Sequence, residues 1–282
     1  MSSIQDLDRA IDSWFEEDIR EGDHTTLSTI PNSASGRAIL HVKQEGVIAG
    51  IAVADRVFER FDPKVKLNTF MKDGEAISIG DRVFEVEGSV HTLLQCERLV
   101  LNIMQRMSGI ATSTREYVKL LEGTGTRILD TRKTTPGFRF LEKEAVRLGG
   151  GVNHRFGLFD MILIKDNHID FAGGIEEAVR ATLKYLEQNK LNLKIVLETR
   201  SLADVEVALR IGNIQRIMLD NFTTGMTREA VALINGRVET ESSGGITRDT
   251  IREYAECGVD YISVGALTHQ VKSLDLSLKA AF

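Results

Sequence analysis

Cysteine is scarce in this chain: two in 282 residues, Cys96 and Cys257, too few for a disulfide framework. Both fall in helical patterns among apolar neighbours, so they read as reduced, structural cysteines of a cytoplasmic protein. No Cys/His spacing suits zinc. Long apolar runs are also missing, and no segment reads as a membrane span. The N-terminal stretch SSIQDLDRAIDSWFEEDIREGD lacks the basic start and apolar centre of a signal peptide. It reads instead as an acidic amphipathic helix with Ile4, Leu7, Ile11, Phe15 and Ile19 on one face and a capping-box-like start at Ser3 and Asp6. There is no excess of basic residues: 35 Lys and Arg stand against 41 Asp and Glu, a formal charge of −6, which argues against a general nucleic-acid surface. No G-x-S-x-G motif is present, and His154, His168 and His269 have no obvious partner serine for nucleophilic catalysis. Nothing suggests disorder, since a 42% hydrophobic share can bury one large core or two modest ones.

What the chain does have is a concentration of cations inside an acidic protein. Between Arg127 and His168 stand eight Lys or Arg (127, 132, 133, 139, 143, 147, 155, 165) against five acids (130, 142, 144, 160, 166). A locally positive region of this kind suits a small polyanion held in a pocket. Two short apolar runs break into it: Arg127–Leu129 into DTRKTTPGFR, and Met161–Ile164 into Lys165, Asp166, Asn167 and His168.

The rhythm of the chain changes near residue 108. Before it, β-like pieces at Arg37–Lys43, Lys64–Phe70 and Arg82–Val90, with a helical segment at Ile51–Phe61, read as an α+β domain over residues 1–108. A long helical stretch from Leu93 to about Leu121 follows, with a break expected at Ser108-Gly109. From 109 to 282, apolar runs at 127–129, 161–164, 194–197, 216–219, 238–240 and 261–264 alternate with amphipathic segments such as Ile175–Leu186, Leu202–Ile211 and Thr247–Cys257. That alternation predicts parallel strands with helical crossovers. Every one of the six strands ends in polar residues or glycine, which favours a parallel α/β barrel, whose C-terminal strand ends share one mouth. A doubly wound sheet would gather function at a single switch point. The last helix is expected to pack back on the N-terminal domain.

Arg132, Lys133, His154, Arg155 and Lys165 thus form a candidate anion site on two neighbouring strand ends, combining planar forks, point charges and an imidazole. Glu198 and Asp220 close the next two strands. They either neutralise those cations or hold Mg²⁺ beside a phosphate-rich ligand. Ser243-Gly244-Gly245 and Gly265-Ala266 each precede a predicted helix at the last two strand ends, where barrels commonly grip a phosphate through backbone amides.

Five stretches, EEDIREGDHTT (16–26), ERLVLNIMQRMSGIAT (97–112), residues 130–169, IMLDNF (217–222) and residues 241–279, resemble the quinolinate phosphoribosyltransferases, over nearly the whole chain. The resemblance implies an N-terminal α+β domain followed by an incomplete parallel α/β barrel. It implies transfer of phosphoribose from 5-phosphoribosyl 1-pyrophosphate (PRPP) to quinolinate with decarboxylation, Mg²⁺ as cofactor, and a homodimer or higher oligomer with shared active sites. Carried over by motif, the quinolinate pocket comprises Arg132, His154, Arg155 and Lys165, with Arg98 supplied by a neighbouring subunit. Thr131 belongs with the substrate-binding strand end, and Lys133 contacts the phosphoribosyl donor. Glu198 and Asp220 take metal and ribose, while Ser243, Gly244, Gly265 and His269 take the 5′-phosphate. Lys133, Lys165, Glu198 and Asp220 are the residues expected to act in catalysis. One departure stands out: where many relatives have an acidic strand, this chain reads IVLETR, so Val196 and Arg200 replace acids while Glu198 is kept.

Overall fold

The computed structural model describes residues 4–281. In chain order the first part runs α1 (Ile4–Asp18), α2 (His24–Thr29), β1 (Ser35–Val42), β2 (Gly46–Val47), α3 (Ile51–Phe61), β3 (Lys66–Thr69), β4 (Ala76–Ile77), β5 (Arg82–Ser89) and α4 (Val90–Leu120). There follow β6 (Arg127–Leu129), α5 (Arg139–Leu148), β7 (Ile162–Ile164), α6 (Asp166–Ala172), α7 (Ile175–Asn189), β8 (Ile195–Thr199) and α8 (Leu202–Ile211). The chain continues through β9 (Arg216–Asp220), α9 (Thr224–Ile234), β10 (Glu239–Ser243), α10 (Ile251–Ala255), β11 (Tyr261–Ser263), α11 (Ala266–His269) and β12 (Leu276–Ala281). Two compact units result: Met1–Arg115 with Thr134–Gly150 and Leu267–Phe282, and Glu116–Lys133 with Gly151–Ala266.

The first unit is α+β. Its antiparallel sheet has the order β12-β1-β5-β3, with β2 and β4 paired separately. Alternation along β1 puts Ala38, Leu40 and Val42 inside, beside Val86 of β5 and Leu276 and Leu278 of β12. The ring of Phe58 on α3 meets Phe84 edge-on at 6.4 Å, and each such fully buried side chain contributes about 1.5–3 kcal/mol. Gly50 precedes α3 and offers no side-chain cap, so Asp73 does that work from a distance, accepting from Ile51 N and Ala52 N at 2.9 and 3.2 Å. α1 is tied to α3 by two forked pairs, Arg56 with Asp8 and Arg60 with Asp12. It ends before Ile19, and Ser3 of the expected cap lies outside the described residues.

One expectation fails here for tertiary reasons, and another is met in a different form, since the C-terminal segment joins the first unit as a strand and not as a helix. No break occurs at Ser108-Gly109; α4 runs through both. Their smallness serves close approach: Ser108 Oγ accepts from Ala49 N at 3.0 Å and donates to Ala49 O at 3.2 Å, and a Cβ on Gly109 would lie 2.3 Å from Lys272 O. The final helix shrinks to four residues, and the chain ends as a strand pairing antiparallel with β1 from Arg37↔Ala281 to Val42↔Leu276.

The second unit holds a six-stranded parallel sheet ordered β6-β11-β10-β9-β8-β7. This is the cyclic order of an α/β barrel opened between its first two strands; among the described residues β6 and β7 do not pair with each other. The numbering never reverses about a central strand as it would in a doubly wound sheet. β8 is buried along its whole length, as a strand covered on both faces should be. One face of the sheet packs Leu163, Val196 and Met218 together, with Met161 against them. Continuing two residues along β7, β8 and β9, the same face carries Lys165, Glu198 and Asp220 at the strand ends.

Candidate active site

The strand ends of the second unit bring charge together over that small apolar floor. Lys165 Nζ lies 3.7 Å from Glu198 Oε2, and the Asp166 amide donates to Glu198 Oε1 at 3.3 Å. Lys165 is the residue before α6, whose start is closed by His168 Nδ1 accepting from Lys165 N at 3.0 Å. His168 is therefore a capping residue. Asp220 accepts from Asn221 Nδ2 at 2.7 Å and lies in register with Ser243 of the next strand. Burial pushes the carboxyls of Glu198 and Asp220 above their ordinary range; Lys165 pulls both back, while Asp220 pushes Glu198 up further. Two crowded, partly desolvated carboxylates facing a single lysine form an all-oxygen set suited to a hard cation that keeps waters. Among the described residues no group of three or more His, Cys, Asp or Glu could hold a metal, so an ion here would take its remaining ligands from water or substrate oxygens.

The cationic side is built by the loops after β6 and before β7. Asp130, fully buried at the end of β6, accepts from the His154 amide at 2.8 Å through Oδ1. His154 Nδ1 in turn accepts from the Arg155 amide at 2.7 Å. The guanidinium of Arg155 is buried and donates to Met161 O at 3.3 Å, while its Nε meets no protein acceptor. Burial first, and then the positive charge of Arg132, lowers the Arg155 pKa from its usual value, with Asp160 opposing. A buried guanidinium facing a second arginine is an arrangement that an anion relieves. Thr131 turns the chain beyond β6 by accepting from Lys133 N at 3.0 Å through Oγ1, and Lys133 itself is exposed.

Beyond β10, Gly244 has φ +99° and Gly245 φ +62°. At Gly244 a Cβ would lie 2.2 Å from Asn221 Oδ1 and 2.9 Å from Asn221 N, so the backbone passes too close for any side chain. Asn221, itself at φ +57°, donates its amide to Ser243 O at 2.9 Å. Gly265 follows β11 and is half-buried.

The models of the quinolinate phosphoribosyl transferase N-terminal and C-terminal domains match residues 23–108 and 110–279. The chain belongs to the quinolinate phosphoribosyltransferase family. "Quinolinate phosphoribosyltransferase [decarboxylating] 1b" of Nicotiana tabacum is 45% identical over 289 residues, covering 97% of this chain and 82% of the tobacco protein. The "Probable nicotinate-nucleotide pyrophosphorylase [carboxylating]" of Bacillus subtilis is 42% identical, with 99% and 94% covered. The crystal structure of NadC from Streptococcus pyogenes superposes with a TM-score of 0.93 at 39% identity over 100% of this chain and 99% of that one.

Within this quinolinate phosphoribosyltransferase fold, Thr131, Arg132, Lys133, His154, Arg155, Lys165, Glu198, Asp220, Ser243, Gly244 and Gly265 all belong to the second unit. Arg98 and His269 belong to the first. Arg98, exposed on α4, lines a cavity of about 490 Å³ with Trp14, Asn102, Arg106, Thr135 and Phe138. His269 is exposed at the end of α11. The two replaced acids have explicable surroundings: Val196 completes the apolar cluster with Leu163 and Met218, and Arg200 forks onto Asp170 at 2.8 and 3.2 Å. Sequence reasoning missed Asp130, Asn221, Arg216 and Glu241 as parts of the site's frame. Glu241 reads as a polar strand end, yet β10 spans Glu239–Ser243 and buries it completely. Its one available signal was its place two residues before Ser243 on the same strand face.

Proposed function

We propose that this protein transfers the phosphoribosyl group of PRPP to the ring nitrogen of quinolinate and releases pyrophosphate and CO₂, leaving nicotinate mononucleotide for NAD synthesis. The observation that carries this reading is the buried Arg155 guanidinium beside Arg132, with a donor that no protein atom accepts. Quinolinate offers two carboxylates for that donor set. Arg132 and Arg155 bind and orient the acid, and Lys165 supplies a third charge at the mouth. The ring nitrogen then attacks C1 of the ribose as the C1–O bond to pyrophosphate breaks. The alkylated, positive nitrogen stabilises the electron pair left on the neighbouring ring carbon when the 2-carboxylate departs as CO₂, and a proton then takes the carboxylate's place on that carbon. Orientation and electrostatics dominate such a reaction, in keeping with the lack of a poised general base.

Lys133 contacts the donor, Glu198 and Asp220 take its ribose and hold Mg²⁺, and the bent backbone of Ser243 and Gly244, with Gly265, receives the 5′-phosphate. The ion, when bound, neutralises the leaving pyrophosphate. His269 is a further phosphate contact. Arg98 serves the quinolinate pocket of a second copy in a homodimer or higher assembly; Leu158, Phe159 and Phe171, left 71%, 72% and 93% exposed, support burial of this unit's surface against another chain. No helix among the described residues is long and apolar enough to cross a membrane. The two free, buried cysteines support a cytoplasmic location.

Incubating the protein with quinolinate, PRPP and Mg²⁺ should yield nicotinate mononucleotide with equimolar CO₂; no product with either substrate omitted is the control, and no product with all three present refutes the reading. Mixing Arg98→Ala with Lys165→Ala subunits should restore activity, since one of the two sites in a mixed dimer then has both residues. Co-purifying mixed dimers with no activity above either parent would remove Arg98 from the partner's site.

A further inference from the structure

Asp220 ends β9, and the residue after it is bent in a way the strand does not require. Along a strand successive side chains point to opposite faces, so residue 221 should face away from Asp220. Asn221 instead adopts φ +57°, in the left-handed region, and its side chain comes back: Nδ2 donates to Asp220 Oδ2 at 2.7 Å. The carboxamide has one sensible orientation there, because turning it over would set Oδ1 against the carboxylate, oxygen to oxygen.

Neighbours on both sides hold the bend. Asn221 N donates to Ser243 O at 2.9 Å, just beyond the register pair Ser243↔Asp220 of β10 and β9. Phe222 is buried, its carbonyl accepts from the Tyr254 hydroxyl at 2.9 Å, and Thr223 caps α9 by accepting from Met226 N at 3.3 Å. Room for the side chain comes from the adjoining turn. Gly244 lies against it, and a Cβ at that position would be 2.2 Å from Asn221 Oδ1. A left-handed asparagine and a glycine with φ +99° therefore serve the same carboxamide. Asn221 is exposed, and a hydrogen bond open to water adds little to folding. What the bond does do is fix a carboxylate, whose last side-chain torsion is otherwise broad.

We propose that Asn221 is a positioning residue for the phosphoribosyl donor: its carboxamide sets the direction of the Asp220 carboxylate, and its backbone amide sets the spacing from that carboxylate to the turn at Ser243-Gly244. A single residue thereby registers two parts of the ligand, ribose and metal at Asp220 and the 5′-phosphate at the turn. Gly244 acquires a second reason to be glycine, since it clears the space that the carboxamide fills. The inference rests on the reading of Asp220 and of Ser243-Gly244 as donor ligands.

Variants of the full-length protein separate the side chain from the bend. Asn221→Gly accepts φ +57° without strain and keeps the backbone amide but has no carboxamide; Asn221→Ala lacks the carboxamide too and carries the strain besides. Both should raise the KM for PRPP and the Mg²⁺ concentration for half-maximal rate roughly tenfold, as loss of a bond to a charged group does, with the KM for quinolinate steady. Titration calorimetry with PRPP and Mg²⁺ but no quinolinate, where no turnover occurs, should show the same loss of affinity. Asn221→Asp keeps the size and the left-handed tolerance but sets an acceptor against Asp220, and should be no better than Asn221→Gly. A normal PRPP KM in Asn221→Gly with a raised one in Asn221→Ala would mean that only the bend matters, and refutes the proposal. Parallel rises in both KM values, or near-normal PRPP affinity in Asn221→Asp, overturn it as well. An Asp220→Asn protein with unchanged PRPP KM and Mg²⁺ requirement refutes instead the donor-site reading beneath it.

Discussion

Gly244→Ala is a sharp test of the proposed phosphate loop because its neighbour provides the control. At Gly244, φ is +99°, outside even the left-handed helical region that asparagine tolerates, and an added Cβ would lie 2.2 Å from Asn221 Oδ1 and 2.9 Å from Asn221 N. The side chain of Asn221 can rotate away, at the expense of its 2.7 Å bond to Asp220; its backbone cannot move without disturbing the 2.9 Å bond from Asn221 N to Ser243 O. Left-handed strain of about 1–2 kcal/mol plus two hydrogen bonds at about 1 kcal/mol each gives a loss of about 3–4 kcal/mol. Gly245 also has positive φ, +62°, but a Cβ there would meet nothing within 4 Å, so Gly245→Ala should cost only the strain, about 1 kcal/mol. The difference of about 2–3 kcal/mol corresponds to a gap of about 4–12 °C in Tm at about 2–4 °C per kcal/mol. Calorimetry reads the gap directly. Kinetics should show a raised KM for PRPP in Gly244→Ala, because displacing Asn221 also displaces Asp220. Equal melting temperatures for the two variants, or an unchanged KM for PRPP in Gly244→Ala, would refute the reasoning.

Lys165→Ala should weaken quinolinate use by about 2–5 kcal/mol, the range for losing one member of a desolvated charge pair, with the fold intact by circular dichroism; an unchanged KM for quinolinate counts against it. Turnover should stop in excess chelator, and Asp220→Asn should raise the Mg²⁺ concentration for half-maximal rate; full activity without divalent ions removes the metal assignment. The carboxyls of Asp8 and Asp12 are held below their ordinary range, chiefly by hydrogen bonds from Arg56 and Arg60. A lowered carboxyl stabilises the folded state above its unfolded pKa and loses that contribution as pH falls through its folded value. Asp8→Asn should therefore lower the urea midpoint at pH 7, and by progressively less as pH falls below the ordinary carboxyl range; an effect that does not shrink with falling pH refutes the ion-pair account.

Features that rest on local periodicity are legible in the amino-acid sequence alone. Apolar runs of three to five residues ending in polar clusters mark all six parallel strands, and because side chains alternate along a strand, Lys165, Glu198 and Asp220 can be placed at neighbouring strand ends from spacing. The motifs likewise point to the family over nearly the whole chain. What the sequence could not show depends on neighbours distant along the chain. Ser108-Gly109 has the composition of a helix break, and only the approach of Ala49 and Lys272 turns it into a contact that the helix runs through. LSLKAA at the C-terminus becomes a strand because β1 offers it an edge from the other end of the chain. Glu241 reads as a polar strand end, and only folding buries it completely against Arg216, which donates to its Oε2 at 3.0 Å. Strand position and residue type are properties of a few neighbouring residues; pairing partner and burial belong to the surroundings that folding assembles.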